Sequence, residues 1–162
     1  MKLEGSCHCG AVRFRVNSKT PYPYNWCYCS ICRKTAGGGG YAINIMAEMM
    51  SLEIEGEENI TVYRSAQNDS EDYEPDGLSY SRRHFCSRCG SALWVHNPTW
   101  PNLIHPFASA IDSDLPNVPV PYAIMTEYAA PWSEIPEDAT NFDHYPDCGI
   151  EDWHKARALY GD

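Results

Sequence analysis

Cysteine spacing constrains this 162-residue chain more than any other feature. Seven of its eight cysteines fall in three short clusters, which span Cys7 to Cys9, Cys27 to Cys32 and Cys86 to Cys89. Cysteines two or three positions apart can place both sulfurs on one tetrahedral zinc ion, at about 2.3 Å from it. Chance spacing explains such clustering poorly, so the sequence predicts metal-thiolate sites.

The first and third clusters resemble each other. Each ends in a cysteine followed by a glycine, Gly10 or Gly90, which lets the backbone turn so that amides reach the thiolates. The two clusters therefore match as halves of one four-cysteine site, brought together from distant parts of the chain. A site with four protein ligands is closed, so we expect this zinc to be structural. Its predicted ligands are Cys7, Cys9, Cys86 and Cys89.

The middle cluster offers only three thiolates, from Cys27, Cys29 and Cys32. Three protein ligands leave zinc an open position where an external water or thiol can bind and lose its proton, which is typical of a catalytic site. One alternative is that Cys148 or a histidine such as His105 closes this site too, so that both zincs are structural. A redox pair of Cys29 and Cys32 is a second alternative, although it leaves Cys27 without a role.

The charge balance limits the partners. Lys and Arg total 12 against 22 Asp and Glu, a net charge of −10, which disfavours a nucleic-acid partner. No apolar run is long enough for a membrane helix, and the first residues lack a signal-peptide core, so we expect a cytoplasmic protein with reduced cysteines. Five basic residues nevertheless lie beside the cysteine clusters, where they could offset thiolate charge, seat an anionic ligand or simply lie in solvent. They are Arg33, Lys34, Arg82, Arg83 and Arg88.

Short runs of apolar and β-branched residues predict a mainly β fold of small twisted sheets around the four-cysteine zinc, as one domain over residues 1–162. The predicted strands cover residues 11–16, 41–45, 52–55, 60–63, 81–85 and 92–96, with the last two forming a hairpin. Residues 67–77 are acidic and contain Pro75, so they predict a mobile loop.

Frequent prolines predict an irregular C-terminal third that wraps the sheet without long regular elements. A short helix over Glu151 to Tyr160 is the exception. It begins with acidic residues and places Trp153, Ala156 and Tyr160 on one face.

Three motifs resemble the glutathione-dependent formaldehyde-activating enzyme family, which includes centromere protein V. They are Gly5 to Val12, Cys27 to Lys34 and Phe85 to Ser91, in the family's order, and the resemblance is specific over about residues 4 to 95. It implies a mostly β fold with two zincs, one held by the four-cysteine set and a catalytic one held by the middle cluster. In the family's proposed chemistry, the thiol of glutathione takes the open zinc position and adds to formaldehyde, giving S-hydroxymethylglutathione in a reversible carbon-sulfur lyase reaction.

Two features depart from the family pattern: Tyr28 stands where many relatives have histidine, and the run Gly37 to Gly40 is longer than the usual single glycine. The run could form an anion nest of backbone amides or a flexible linker. Arg33 and Lys34 follow the last ligand and are the candidates to hold the carboxylates of the thiol substrate.

The sequence thus supports a zinc-dependent carbon-sulfur lyase that acts on a small thiol, with a non-catalytic, zinc-stabilised protein-binding module as the alternative. It leaves open the true thiol and electrophile, the oligomeric state and the role of Cys148.

Overall fold

The computed structural model describes residues 1–66, 73–118 and 120–158. Within these ranges the chain forms short strands and two short helices, α1 (Ser30–Thr35) and α2 (Ile150–Ala156), joined by 3₁₀ turns and loops. The strands are β1 (Lys2–Ser6), β2 (Arg13–Asn17), β3 (Asn25–Cys27), β4 (Ala42–Asn44), β5 (Ala47–Glu48), β6 (Glu53–Glu55), β7 (Ile60–Tyr63), β8 (Arg82–Cys86), β9 (Ala92–His96), β10 (Leu103–Pro106), β11 (Tyr122–Ile124) and β12 (Thr140–Asn141). The predicted mainly β fold of small sheets is confirmed.

The described strands pair into three sheets. Their orders are β1-β2-β6, β5-β10-β9-β8-β7 and β12-β11-β3-β4. The first two sheets are antiparallel throughout, whereas β11 in the third runs parallel to both β3 and β12. β9 is the central strand of the five-stranded sheet, so its buried side chains form an important part of what that sheet adds to the core.

Two of the predicted strands, residues 60–63 and 92–96, have the observed bounds, and the hairpin of β8 and β9 is confirmed. The strand β1 was not predicted. It forms because Leu3 is fully buried between exposed neighbours, so that the short segment has one buried face to pair along β2.

As predicted, the described part of the C-terminal third has no long regular element, and its strand β11 has only three residues. Prolines Pro116 and Pro121 precede this strand without interrupting it, and a three-residue strand is short enough to fit between Pro121 and the left-handed Met125. β11 thereby enters the third sheet beside β3, and Ile124 pairs with Cys27 in register.

The C-terminal helix α2 is shorter than predicted, and residues 159–162 lie outside the described ranges. Its packed residues are Trp153 and His154, while Ala156 is exposed, and Tyr160 of the predicted face lies outside the described residues. A hydrogen bond joins His154 Nε2 to the Tyr22 carbonyl oxygen at 2.7 Å, and Trp153 Nε1 donates to the Tyr122 hydroxyl at 2.9 Å. These bonds fix α2 against the third sheet.

The predicted acidic loop lies only partly in the described structure, since residues 67–72 fall outside it. The remainder is tied down: Tyr73 forms an isolated β-bridge with Ser79, and the Arg64 guanidinium donates to Asp76 Oδ2 at 2.8 Å. The described part of the loop is therefore held by an ion pair.

Two hydrophobic clusters form the core, and each contains cysteines. The first packs Leu3, Phe14 and Trp94 around Cys7 and Cys86. The second surrounds Cys27, Cys29 and Cys32 with apolar side chains that include Val95, Phe107, Ile124 and Met125.

β9 takes part in both clusters because its pairing with β8 shifts by one residue. His84 faces Trp94 and Phe85 faces Ala92, which leaves Leu93 as the extra residue. Leu93 and Trp94 therefore both pack in the first cluster, although they are neighbours, and Val95 packs in the second. In the described part of the chain, no helix has the length and apolar character needed to cross a membrane.

Candidate metal centres and the adjoining cavity

The first and third cysteine clusters of the sequence meet in space. Cys7 and Cys9 lie in the loop after β1, Cys86 ends β8, and Cys89 lies in the turn before β9. All four Sγ atoms lie within 4.8 Å of one another, with 3.5 Å between Cys7 and Cys9 and 3.8 Å between Cys9 and Cys86. Four sulfurs at about 2.3 Å from a tetrahedral ion are about 3.8 Å apart, so this set fits a zinc ion.

The two glycines provide the predicted turns. Gly10 and Gly90 have φ angles of 73° and 75°, in the left-handed region that side chains disfavour. Their amides donate to the carbonyl oxygens of Cys7 and Cys86, at 3.0 and 2.8 Å. The Val12 amide also donates to Cys7 Sγ at 3.2 Å, as expected where a thiolate accepts a backbone hydrogen bond.

Solvent exposure divides the four-cysteine set. Cys7 and Cys86 are buried in the first hydrophobic cluster, whereas Cys9 and Cys89 are exposed. Hydrogen bonds from the side chain and backbone of Ser91 lower the pKa of the Cys89 thiol to about 5. The four-cysteine set therefore lies with one side in the core and the other side facing solvent.

The middle cluster is built differently. Cys27 ends β3, Cys29 caps the N-terminus of α1 and Cys32 lies in the first turn of that helix, where its amide donates to Cys29 Sγ at 3.3 Å. Their sulfurs lie within 4.8 Å of one another, and all three residues are buried. Helix α1 was not predicted, because six residues are too few to show a helical period; the cap at Cys29 is the signal that could have indicated it.

The three thiols differ in their pKa values. Hydrogen bonds from Cys27, then from Cys32, hold the pKa of Cys29 well below its ordinary value, while the same bond to Cys29 raises the pKa of Cys27. Packing three thiols this tightly with one thiolate among them is what a cation would stabilise, and a soft thiolate set fits zinc. Within the described ranges, no fourth Cys, His, Asp or Glu ligand atom joins the three sulfurs within 4.8 Å.

A cavity of about 380 Å³ adjoins the three cysteines. The inner faces of two sheets form its walls, and α2 with the segment before it forms the rest. Ser81, just before β8, and Arg83 on β8 line it from one side, and Leu103 and His105 of β10 line it from the other. Arg83 and His105 both pair with Val95 of β9, so these three side chains form one row across the five-stranded sheet.

The opposite wall comes from the third sheet. Asn44, Asn25 and Tyr122 pair in one row, and the next row brings Ile124 beside Cys27. Trp100, Tyr145 and Trp153 add aromatic surface to the cavity. A concave, largely apolar site with a few polar groups is typical of small-molecule binding.

Neither residue proposed to close the middle cluster belongs to it. Cys148 and His105 both line the cavity, outside the group of three close sulfurs. Burial lowers the pKa of His105 to about 4, so its ring is neutral at pH 7. In the described geometry, therefore, neither residue closes the three-cysteine cluster.

The basic residues beside the clusters occupy different environments. Arg83 is only 3% exposed and lines the cavity together with the cysteines, so the alternative that it lies in solvent is wrong. Arg82, its neighbour on β8, instead forms an ion pair with Glu74 at 3.2 Å, and Arg88 is exposed.

Arg33 and Lys34 do not line the cavity of the three cysteines. They border a second, open cavity of about 750 Å³, on the side of the four-cysteine set, together with Gly37 and Gly38. The structure therefore separates these two cations from the middle cluster, and their role in binding substrate carboxylates stays a prediction. Sequence reasoning missed the position of Arg83, because its neighbour Arg82 has the same chemistry and only the strand pairing separates the two.

The features that depart from the family pattern also lie away from the three-cysteine cavity. Tyr28 is fully buried, and its hydroxyl donates to the Glu134 carbonyl oxygen at 2.9 Å. The glycine run is closely packed at its two ends: a Cβ at Gly37 would clash with the Tyr41 carbonyl oxygen, and one at Gly40 would clash with Ser133 Cβ. Close packing, rather than linker flexibility, accounts for these two glycines.

Fold and site together define a mainly β protein with one four-cysteine set and one three-cysteine set, each of which could hold a metal ion, and the second set adjoins a cavity. Residues 2–124 match the family sequence model described as "Glutathione-dependent formaldehyde-activating enzyme", and the chain belongs to that family.

Two relatives extend this result. A Halomonas elongata protein named "Putative glutathione-dependent formaldehyde-activating enzyme" is 57% identical over 162 residues, which cover 98% of each chain. The crystal structure of a Rhodobacter sphaeroides protein is similar with a TM-score of 0.53 and 26% identity, over 72% of this chain and 92% of that one. The resemblance inferred from the three motifs is confirmed at the level of the family.

Proposed function

We propose that this protein is a zinc-dependent carbon-sulfur lyase that joins glutathione to formaldehyde and cleaves the product, S-hydroxymethylglutathione. The observation that carries the proposal is the three-cysteine cluster, whose sulfurs lie within 4.8 Å of one another at the wall of a 380 Å³ cavity. Family membership supports the choice of thiol and aldehyde.

We assign the two sets of ligands different roles. Cys7, Cys9, Cys86 and Cys89 would hold a structural zinc, because four thiolates complete a tetrahedral shell. Cys27, Cys29 and Cys32 would hold a second zinc, and when bound it supplies a Lewis acid that favours the thiolate form of a substrate sulfur at neutral pH. Both sets need reduced cysteines, which fits the cytoplasm.

The cavity residues bring the two reactants together. The inner faces of the two sheets exclude bulk water and confine the thiol and the aldehyde to one small volume. As the carbon-sulfur bond forms, the π electrons of the carbonyl pass to its oxygen, which takes up the proton that the thiol gave up. Polar groups at Asn25, Asn44 and Ser81 line the space where a hydroxyl product would form and can accept or donate hydrogen bonds to it.

Replacement of zinc by cobalt in the reduced protein tests this proposal. The thiolate charge-transfer absorption of cobalt grows with each sulfur ligand, so we expect glutathione to raise it and S-methylglutathione, which has no thiol, to leave it unchanged. The response should be lost in Cys29→Ser and kept in Cys148→Ser. In parallel, exchange of ¹³C-formaldehyde into S-hydroxymethylglutathione should be faster with wild type than with Cys29→Ser.

The outcomes separate the two functions left open by the sequence. A response to another thiol but not to glutathione keeps the lyase class and removes glutathione. No response to any thiol would favour the zinc-stabilised protein-binding module.

A further inference from the structure

The second cavity, of about 750 Å³, is separate from the cavity of the three cysteines, and the two share none of their described lining residues. Its walls are the end of α1 with the residues after it, the two loops of the four-cysteine set and the segment around Ser109. Helix α1 therefore takes part in both cavities, with Cys32 in one and Arg33 in the other. The proposed reaction uses only the three-cysteine cavity.

Two adjacent cations line the second cavity without an acidic partner. Within residues 1–66, 73–118 and 120–158, no carboxylate forms an ion pair with Arg33 or Lys34, and Arg33 Nε is buried with no hydrogen-bond acceptor. Lys34 is exposed, so solvation accounts for its charge. A buried guanidinium N–H without an acceptor is destabilising, however, so Arg33 indicates that an acceptor from outside the chain belongs in this cavity.

The other polar groups of the second cavity also favour an anion. Asp112 is the one acidic residue among the described residues that line it, and its Oδ2 already accepts a hydrogen bond from the Ser6 hydroxyl at 2.6 Å. The amides of Gly37 and Gly38 form no hydrogen bond with any residue of the described ranges. Successive backbone amides of this kind provide an anion-binding concavity, and here they lie beside two cations.

Gly38 separates ligand binding from packing as the reason for the glycine run. A Cβ at Gly37 or Gly40 would clash with the chain, whereas one at Gly38 would meet nothing within 4 Å. The φ angle of Gly38 also lies outside the left-handed region. Neither packing nor backbone conformation therefore requires glycine at this position. A glycine does let a ligand approach the backbone closely, which agrees with a bound anion at these amides.

We propose that the second cavity binds the phosphate group of a small phosphate monoester, with Arg33 and Lys34 as its cations and the amides of Gly37 and Gly38 as further donors. A phosphate monoester has close to two negative charges at pH 7 and three strong acceptor oxygens. Two cations with adjacent amides match that group better than they match a single carboxylate. This site does not depend on the proposed function, and it gives Arg33 and Lys34 a ligand other than the thiol substrate.

Titration of the zinc-loaded, reduced protein with inorganic phosphate tests the inference by ¹H–¹⁵N NMR. We expect the amide signals of Gly37 and Gly38 to shift, and those of Tyr122 and Ile124 in the three-cysteine cavity to stay unchanged. The spectrum of Gly38→Ala assigns the Gly38 signal. At constant ionic strength, phosphate should bind about 10-fold tighter than acetate, because its second charge and additional oxygens engage more donors.

Substitutions at the cavity test the residues. Arg33→Gln should weaken phosphate binding about 10-fold, and Lys34→Gln about 3-fold because its charge is exposed and screened. Gly38→Ala should keep wild-type stability and weaken binding about 3-fold, since a methyl group hinders close approach to the backbone. Arg88→Gln is the matched control: it removes the same charge from an exposed position that lines neither cavity, so binding should not change.

Zinc content and thermal unfolding of each variant exclude misfolding, and Lys34→Gln with Gly38→Ala carries the test if Arg33→Gln does not fold. The inference is overturned if phosphate does not bind, if it shifts Tyr122 and Ile124 instead, or if Arg88→Gln weakens binding as much as Arg33→Gln. Equal affinity for acetate would overturn the ligand class. Displacement of phosphate by S-methylglutathione at equal concentration would return Arg33 and Lys34 to the thiol substrate and also overturn the inference, whereas the proposed function would survive each of these results.

Discussion

The two cysteine sets differ in what they connect. Cys9 and Cys86 are 77 positions apart, and the four-cysteine set joins the loop after β1 to the hairpin of β8 and β9. The three-cysteine set closes only the short segment from Cys27 to Cys32. A metal held by the first set would tie together distant parts of the fold. A metal held by the second set would close only a local loop, so the fold does not depend on it.

The two cysteine sets also differ in their exposure to solvent. Two ligands of the four-cysteine set are exposed, while all three residues of the other set are buried beside a cavity. A structural ion needs only a complete ligand shell, but an ion that handles a substrate needs a dry space next to it. The comparison teaches that burial and the number of cysteines, taken together, are the physical basis for the two different roles that we propose.

The largest expected effect is on folding, and it compares two buried cysteines. Cys86→Ser should lower the free energy of unfolding by more than about 4 kcal/mol, because it removes a ligand of the long-range set. Cys29→Ser should cost about 1 to 2 kcal/mol, since only a local loop loses its metal. Urea denaturation of zinc-loaded samples measures both.

Metal analysis provides the control for this pair. Wild-type protein should carry close to two zinc ions per chain, and Cys29→Ser should carry one and stay folded. Cys148→Ser should change neither zinc content nor stability, because Cys148 is exposed and belongs to neither set. Equal losses of stability in Cys86→Ser and Cys29→Ser would remove the distinction between the two sets.

A smaller effect should appear with pH at the three-cysteine cavity. Burial lowers the pKa of His105 to about 4 from its ordinary 6.5, so the unfolded chain takes up a proton at this residue before the folded chain does. Its stabilising effect is complete above pH 6.5 and is lost as the pH falls toward 4. The unfolding free energy of wild type relative to His105→Gln should therefore fall by about 2 kcal/mol between pH 7 and pH 5.

Comparison with His105→Gln at each pH cancels the contributions that the other histidines and the loss of zinc in acid make to the pH dependence of the unfolding free energy. A relative stability that stays constant from pH 7 to pH 5 would show that the His105 ring is well solvated. The wall of the cavity would then be wetter than its burial indicates.

The smallest effect concerns the turns of the four-cysteine set. Gly90→Ala should lower the unfolding free energy by about 1 kcal/mol, because φ is 75° and a Cβ there would meet nothing within 4 Å. Gly10→Ala should behave alike, with only Arg13 Nη2 near its Cβ, at 3.7 Å. Both variants should keep their zinc, and loss of zinc would mean that backbone geometry, rather than the thiols alone, defines the site.

The sequence predicted the features that depend on short spacing. Cysteines two or three apart and glycines after Cys9 and Cys89 indicated both ligand sets and the turns, because these are local geometric requirements. The strands at residues 60–63 and 92–96 were predicted because each has a compact β-type composition.

Features that depend on pairing between distant strands could not be predicted. The row of Arg83, Val95 and His105 exists only after β8, β9 and β10 are in register, and nothing in the local sequence of Arg83 distinguishes it from Arg82. In the same way, Arg33 directly follows Cys32 but lines another cavity, because successive residues of helix α1 point in different directions. Adjacency in sequence to a ligand is therefore a poor guide to adjacency in space.

The extra residue at Leu93 lets the hairpin supply two neighbouring side chains to one cluster. Between Cys86 in one set and Val95 beside the other, the hairpin contains one residue more than a regular ladder would pair. Ala92 and Val95 pack toward the second cluster, whereas Leu93 and Trp94 between them both pack in the first. Deletion of Leu93 would therefore leave Trp94 and Val95 on their present faces and would remove one large side chain from the core around Cys7 and Cys86. The bulge thus adds apolar volume at the four-cysteine end of the hairpin without changing which face of the strand meets the three-cysteine cavity.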